Sequence, residues 1–328
     1  MTGAFKTHNG VIFKPCIFEL KLLKNIIVLV RWISHCVKSM RMKFVIQVLF
    51  IIFTAFDSNA QISYKGSIDK LPVELVGDFY PDGVVNAFYV YSKFDQSIRL
   101  SGSLKSEHLI LTEKNDSGKG TATLTFENFN SKSDTLKGVW KEISSGRELR
   151  IVLIKTYTLN EDQGPAEVLQ MVSLKDKYFR LVIRSEPGTA YPRVKAVKIF
   201  EKKTDKLLQQ IPVDCETWGI NGMSVDDYNF DGFPDFSVFE QSYAGPNTSS
   251  LYFLYNPKTG MFFKSTFEGT SLTFDKKSKR IFEHNQCCAG NSHMNAVYKV
   301  VNNKMVLVSR TCQEYNESKG ELMEVKCE

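Results

Sequence analysis

One nine-residue stretch concentrates the chemistry of this sequence. Asp227-Tyr228-Asn229-Phe230-Asp231-Gly232-Phe233-Pro234-Asp235 reads D-x-N-x-D-G-x-x-D. A calcium ion takes six to eight oxygens at about 2.3–2.6 Å. A backbone that curls through this spacing turns Asp227, Asn229 and Asp231 toward one centre. Gly232 permits the sharp turn, Phe233 offers its carbonyl oxygen, and Asp235 adds a third carboxylate. Without a cation the three carboxylates repel one another. Val238 stands where an EF-hand places a bidentate Glu, and Phe236-Ser237-Val238-Phe239 is strand-like. The pattern is therefore an EF-like loop outside an EF-hand, with Ca²⁺ as the expected cofactor. The competing reading is a solvated Asp-rich turn.

A second segment follows one short strand later. Ser242 to Ser250 is polar and carries Tyr243, Gly245 and Asn247. Five residues of strand span about 17 Å, so this loop is expected at the opposite end of its sheet from the ion. There a calcium ion braces the strand and does not touch a bound partner. Tyr243 is the expected anchor of a binding loop. The alternative is a plain connection with Tyr243 tucked inward.

Other constellations carry less. Cys16 and Cys36 precede residue 60; Cys215, Cys287, Cys288, Cys312 and Cys327 follow it. In an oxidising compartment five thiols allow two disulfides and leave one over. Adjacent cysteines rarely bond each other, so Cys287 and Cys288 are expected to pair with Cys312 and Cys327, leaving Cys215. His284, Cys287, Cys288 and His293 also fit a zinc spacing, against which disulfides compete. Asp226, Asp227, Asp231, Asp235 and Glu240 could serve a glycosidase, but a calcium shell uses most of them. G-x-S-x-G, P-loop, G-x-G-x-x-G and H-E-x-x-H are all missing. No catalytic residue is assigned, and the expectation is a protein that is not an enzyme.

The elements that must position these groups read as β throughout. Val85–Tyr91, Ser97–Leu104, His108–Thr112, Thr121–Phe129, Thr135–Trp140 and Glu148–Ile154 are aromatic, β-branched or alternating runs between turn signals. They predict an antiparallel barrel or sandwich over residues 61–159, with Trp140 in its core. The polar stretch from Asn160 to Pro165 predicts a boundary. A second β domain is expected over residues 165–328, with hairpins at Lys202–Asp205, Asn256–Gly260 and Asn302–Asn303. The fold class is all-β, in two antiparallel domains.

The calcium loop and its following strand resemble those of FG-GAP and VCBS-type repeats. A single copy implies no propeller. The stretch from the loop through Gly245-Pro246-Asn247, Leu251–Tyr255 and Met261-Phe262-Phe263 is similar to a closer family, the PliI-type lysozyme inhibitors and related periplasmic immunity proteins. That resemblance covers roughly residues 165–328. It implies a β-sandwich carrying calcium and a protein partner, namely a lysozyme-like cell-wall hydrolase. A glycan- or matrix-binding protein is the alternative, and a hydrolase the third.

The first sixty residues read as an address. Met40-Arg41-Met42-Lys43 is a basic start, Phe44–Phe56 is apolar, and Asp57-Ser58-Asn59-Ala60 offers a cleavage site. Thirteen apolar residues cover only about 20 Å of helix, short of a bilayer core. A signal peptide over about 40–60 is expected, with export to the periplasm or medium and no stable membrane insertion after cleavage. Residues 1–39 fit poorly ahead of it, so translation is expected to begin at Met40 or Met42. The formal charge of +6 comes from this leader. It holds eight of the 42 basic residues and two of the 36 acidic ones, leaving a neutral body with no nucleic-acid footprint.

Overall fold

The computed structural model describes residues 60–92, 96–115, 117–159, 164–185, 192–243 and 245–327. The expected signal peptide and upstream start region, residues 1–59, lie outside the described residues, as does most of the expected boundary segment (160–163). Among the described residues the chain is strand, turn and two short 3₁₀ turns, Gly219–Asn221 and Cys288–Gly290. The all-β expectation holds. No described helix is long and apolar enough to cross a membrane.

The first eight strands are β1 (Ala60–Ile68), β2 (Leu71–Phe79), β3 (Val84–Tyr91), β4 (Ile98–Lys105), β5 (His108–Lys114), β6 (Gly120–Phe126), β7 (Thr135–Glu142) and β8 (Glu148–Thr158). Each pairs antiparallel with the next, and β1 pairs with β8. Of the two architectures expected here, the chain forms the closed barrel. Alternation drives this choice. Leu109 and Leu111 of β5, and Ala122, Leu124 and Phe126 of β6, all face inward and are buried. Closure leaves no unpaired edge to protect.

Next come β9 (Ala166–Ser173), β10 (Lys177–Arg184), β11 (Arg193–Glu201) and β12 (Leu207–Glu216), forming one four-stranded sheet. A second contains β13 (Met223–Asp226), β14 (Asp235–Ser242), β15 (Thr248–Asn256) and β16 (Met261–Lys264). Phe179 of β10 meets Phe236 of β14, ring centroids 5.1 Å apart, so the two sheets share a core. Outward-facing Val76, Phe88, Val90 and Tyr157 of the barrel join that core. At this seam Arg180 donates to both carboxylate oxygens of Glu74, at 2.8 and 2.7 Å. Burial lowers the Arg180 guanidinium, and Glu74 outweighs it, so the group stands above its ordinary pKa.

The last sheet runs β17 (Thr273–Asp275), β18 (Arg280–Cys287), β19 (Ser292–Val301), β20 (Lys304–Asn316) and β21 (Glu321–Val325). Hairpins close at Lys202–Asp205, Asn256–Gly260 and Asn302–Asn303, as the turn residues predict.

Candidate functional site

The Asp-rich loop joins β13 to β14. Its turn needs left-handed backbone at two positions, Phe230 (φ 61°) and Gly232 (φ 92°), and only the second is glycine. Lys279 donates to the Phe230 carbonyl at 3.3 Å. Asn229 reaches Asn303, in the β19–β20 turn, at 3.0 Å. Lys276 pairs with Asp226. The loop is thus held from outside by the last sheet, through residues far away in sequence that carry no local signal of the role.

Inside the loop, side-chain oxygens accept backbone amides. Asp227 accepts from Asp231 (3.0 Å) and Gly232 (2.9 Å), and Asn229 from Asp231 (3.1 Å). Asp231 accepts from Phe233 at 2.9 Å. Asp235 is fully buried and accepts from Tyr228 (3.0 Å) and Tyr255 (2.7 Å), which locks the start of β14 onto β15. Burial pushes its carboxyl up to about 7, the Asp231 charge adds to the rise, and the backbone amides oppose it. Phe233 is exposed and leans on Tyr255, ring centroids 6.0 Å apart.

The side-chain oxygens of Asp227, Asn229, Asp231 and Asp235 are of the type that could hold an oxygen-seeking cation, and each carboxylate oxygen keeps a lone pair beyond its amide bond. Asp227 and Asn229 both accept the Asp231 amide, and the Asp231 carboxylate accepts the Asn229 side-chain amide at 2.8 Å. The chemistry fits calcium. As the side chains stand, however, no group of three or more His, Cys, Asp or Glu is gathered to hold a metal among the described residues.

The β14–β15 connection is shorter than the expected loop Ser242–Ser250: Ser242 ends β14 and Thr248–Ser250 pair with it as the start of β15, which leaves residues 243–247 as the turn at the far end of β14. Tyr243 is exposed; its hydroxyl accepts from Gln241 (2.7 Å) and lies 3.4 Å from Ser249. Gly245 is left-handed (φ 79°) at the turn. Asn247 is buried and bonds across to β18, donating to Asn285 (3.0 Å) and the Gln286 carbonyl (2.7 Å) and accepting from the Gln286 amide (3.1 Å). Of the three expected loop residues, Tyr243 is the one whose ring faces solvent, while Asn247 serves as an internal cross-link.

The cysteines require a correction. Cys312 and Cys327 bond each other, and do not bond Cys287 or Cys288. The reason is register: Cys312 pairs with Val325 across β20 and β21, which brings Cys327 to 5.2 Å between Cα atoms. Cys287 and Cys288 sit at the β18–β19 turn with their sulfurs 2.9 Å apart and exposed. Cys215 is free and buried, and burial pushes its thiol up to about 12.

A cleft of about 630 Å³ lies between the barrel and the β9–β12 sheet, lined in part by Lys65, Tyr157, Tyr178, Arg180 and Asp205. Its central charges are already engaged: Arg180 with Glu74, and Asp205 with the Tyr178 hydroxyl at 3.1 Å. One further group belongs to no motif of the sequence. Glu113 stands at the inward parity of β5, after Leu109 and Leu111, and is held by Tyr89, Thr121 and Trp140. A carboxylate in an apolar alternation was the available signal.

Compared with known proteins, the chain matches no family model and no curated sequence.

Proposed function

We propose that this chain is an exported binding protein stabilised by calcium, acting as an inhibitor or immunity protein against a lysozyme-like cell-wall hydrolase. The observation that carries the reading is the joining of an Asp-rich loop and an exposed Tyr243 by one strand, β14. Asp227, Asn229, Asp231 and Asp235, with the Phe233 carbonyl, would hold the ion. Bound calcium would neutralise the loop and fix the strand. A stiff strand presents Tyr243 with less entropy to lose on binding.

The test has two arms. In the first, calcium is added to the metal-free mature protein and unfolding is followed. At a hundredfold excess over its dissociation constant the ion adds about 2.7 kcal/mol. Asp231→Ala abolishes that gain. In the second arm, lysis of peptidoglycan by a lysozyme-type muramidase is measured with the protein present. Inhibition that Tyr243→Ala weakens, with calcium affinity unchanged, supports the reading. Failure to inhibit, with retention on immobilised glycan instead, moves the function to the glycan- or matrix-binding alternative.

A further inference from the structure

One end of the barrel is corked. Phe129, from the β6–β7 connection, is buried against Phe79 with the rings stacked at 5.0 Å. At the other end, where β3 finishes and β4 begins, the last interior layer is Tyr91, Ile98, Trp140 and Leu149. These four rest on the core below and stay half-buried.

Glu113 stands among them. One carboxylate oxygen accepts from the Tyr89 hydroxyl (3.0 Å) and the Trp140 indole (3.3 Å), and the other from the Thr121 hydroxyl (3.1 Å). Thr121 reaches inward because β6 carries a register shift at that point. Tyr91 packs edge-on against Tyr89, centroids 5.5 Å apart. All three donors are neutral, and no Lys, Arg or His pairs with Glu113 among the described residues. The carboxylate is oriented, half-buried, and has no ion-pair partner among the described residues.

That combination selects a ligand class. A charge taken out of water is costly unless paired. An ammonium is attracted both to a carboxylate and to the faces of aromatic rings. An anion would be repelled by Glu113, and a bare metal ion needs more oxygens than one carboxylate offers. A neutral polyol would find the three donors already spent on Glu113. Barrels of eight strands have room for one small ligand at most.

We propose that the barrel end lined by Tyr91, Ile98, Trp140 and Leu149 binds a small organic cation, an amine or quaternary ammonium on a short apolar body. Glu113 is the counter-ion, Tyr91 and Trp140 are the aromatic walls, and Tyr89 and Thr121 position the carboxylate. This site is separate from the β14–β15 turn and stands whether or not that turn binds a hydrolase.

The test titrates the mature protein with hexyltrimethylammonium and hexylammonium, with hexanol and hexanoate as matched controls, following tryptophan fluorescence in a Trp218→Phe background so that Trp140 reports. The expected result is a saturable change with both cations and none with the controls. Glu113→Gln keeps the side-chain shape and one acceptor oxygen while removing the charge, and is expected to weaken cation binding by about tenfold or more. Three results overturn the proposal: hexanol binding as well as the cations, no saturation by about 10 mM cation, or a folded Glu113→Gln variant that binds like the parent. If Glu113→Gln does not fold, the cation-against-alcohol comparison in the parent background still decides.

Discussion

The barrel and the last sheet are built from the same kind of antiparallel strand, yet they are stabilised by different means. In the barrel, eighteen buried apolar side chains fill a closed interior. The cluster serving the last sheet has five, and only Ile281 comes from that sheet. Along β20 no residue is buried, and Val306, Leu307 and Val308 are exposed. A closed sheet supplies its own second layer, so every inward side chain counts. An open sheet must borrow a second layer or be tied, and here the ties are the Cys312–Cys327 bond and the polar contacts of Asn303, Lys276 and Lys279 with the Asp-rich loop.

The sharpest way to break this comparison is to remove one apolar side chain from each region. Phe126 is wholly buried in the barrel, and Phe126→Ala is expected to cost about 3–5 kcal/mol. Leu307→Ala, on β20, is expected to stay within about 0.5 kcal/mol. Urea unfolding of both variants checks the contrast, and equal losses would show that β20 is covered in solution.

A smaller effect is expected from the tie. Cys312 and Cys327 lie 15 residues apart, and closing a loop of that length is worth about 3 kcal/mol in the chain-entropy description. Cys312→Ser with Cys327→Ser should speed amide exchange along β20 and β21 and leave β1–β8 protected. Acceleration spread evenly over the barrel would mean that the two regions open together. Without reduction, maleimide labelling is expected at Cys287 and Cys288 and not at Cys215.

The smallest effect concerns the barrel's outer face. Asp78 on β2 accepts the Ile220 amide at 3.0 Å, and left-handed Gly219 packs so close that a Cβ there would stand 2.5 Å from the Asp78 carboxylate. Burial pushes the Asp78 carboxyl up to about 6. The folded state therefore holds this proton more tightly than the unfolded chain, whose carboxyl titrates near 4. Stability from this group rises as pH falls from about 6 to about 4, by roughly 1–3 kcal/mol. The difference in unfolding free energy between wild type and Asp78→Asn should change across that window and be flat above it. A flat difference throughout would mean that Asp78 is solvated.

Much of the architecture was legible because it is written locally. Alternation marked the strands, and pairs such as Asn302-Asn303 marked the turns, since a side-chain period of two and left-handed turn residues are properties of a few neighbouring amino acids. The Asp-rich loop was equally plain, its oxygens set by spacing alone. What surrounds that loop was not. Asn303 and Lys279 reach it from 74 and 49 residues away, and no local pattern marks such a contact. Trp140 was expected in the core; its inward parity is right, but it sits in the half-buried last layer, a matter of how far the barrel is filled.

The cysteines draw the same line. Composition established that five thiols lie beyond residue 60, but not which would meet. Pairing depends on cross-strand register, and register placed Cys327 beside Cys312 while leaving Cys287 and Cys288 at a turn of their own. By itself, then, the sequence determined the all-β class, the turns and the oxygen-rich loop, because each rests on interactions within about ten residues of chain. Closure of β1 onto β8, the cork at one barrel end, the charged seam of Glu74 with Arg180 and the setting of Glu113 were decided by the tertiary structure. Each joins residues whose proximity exists only once the strands are in register and the sheet has closed on itself.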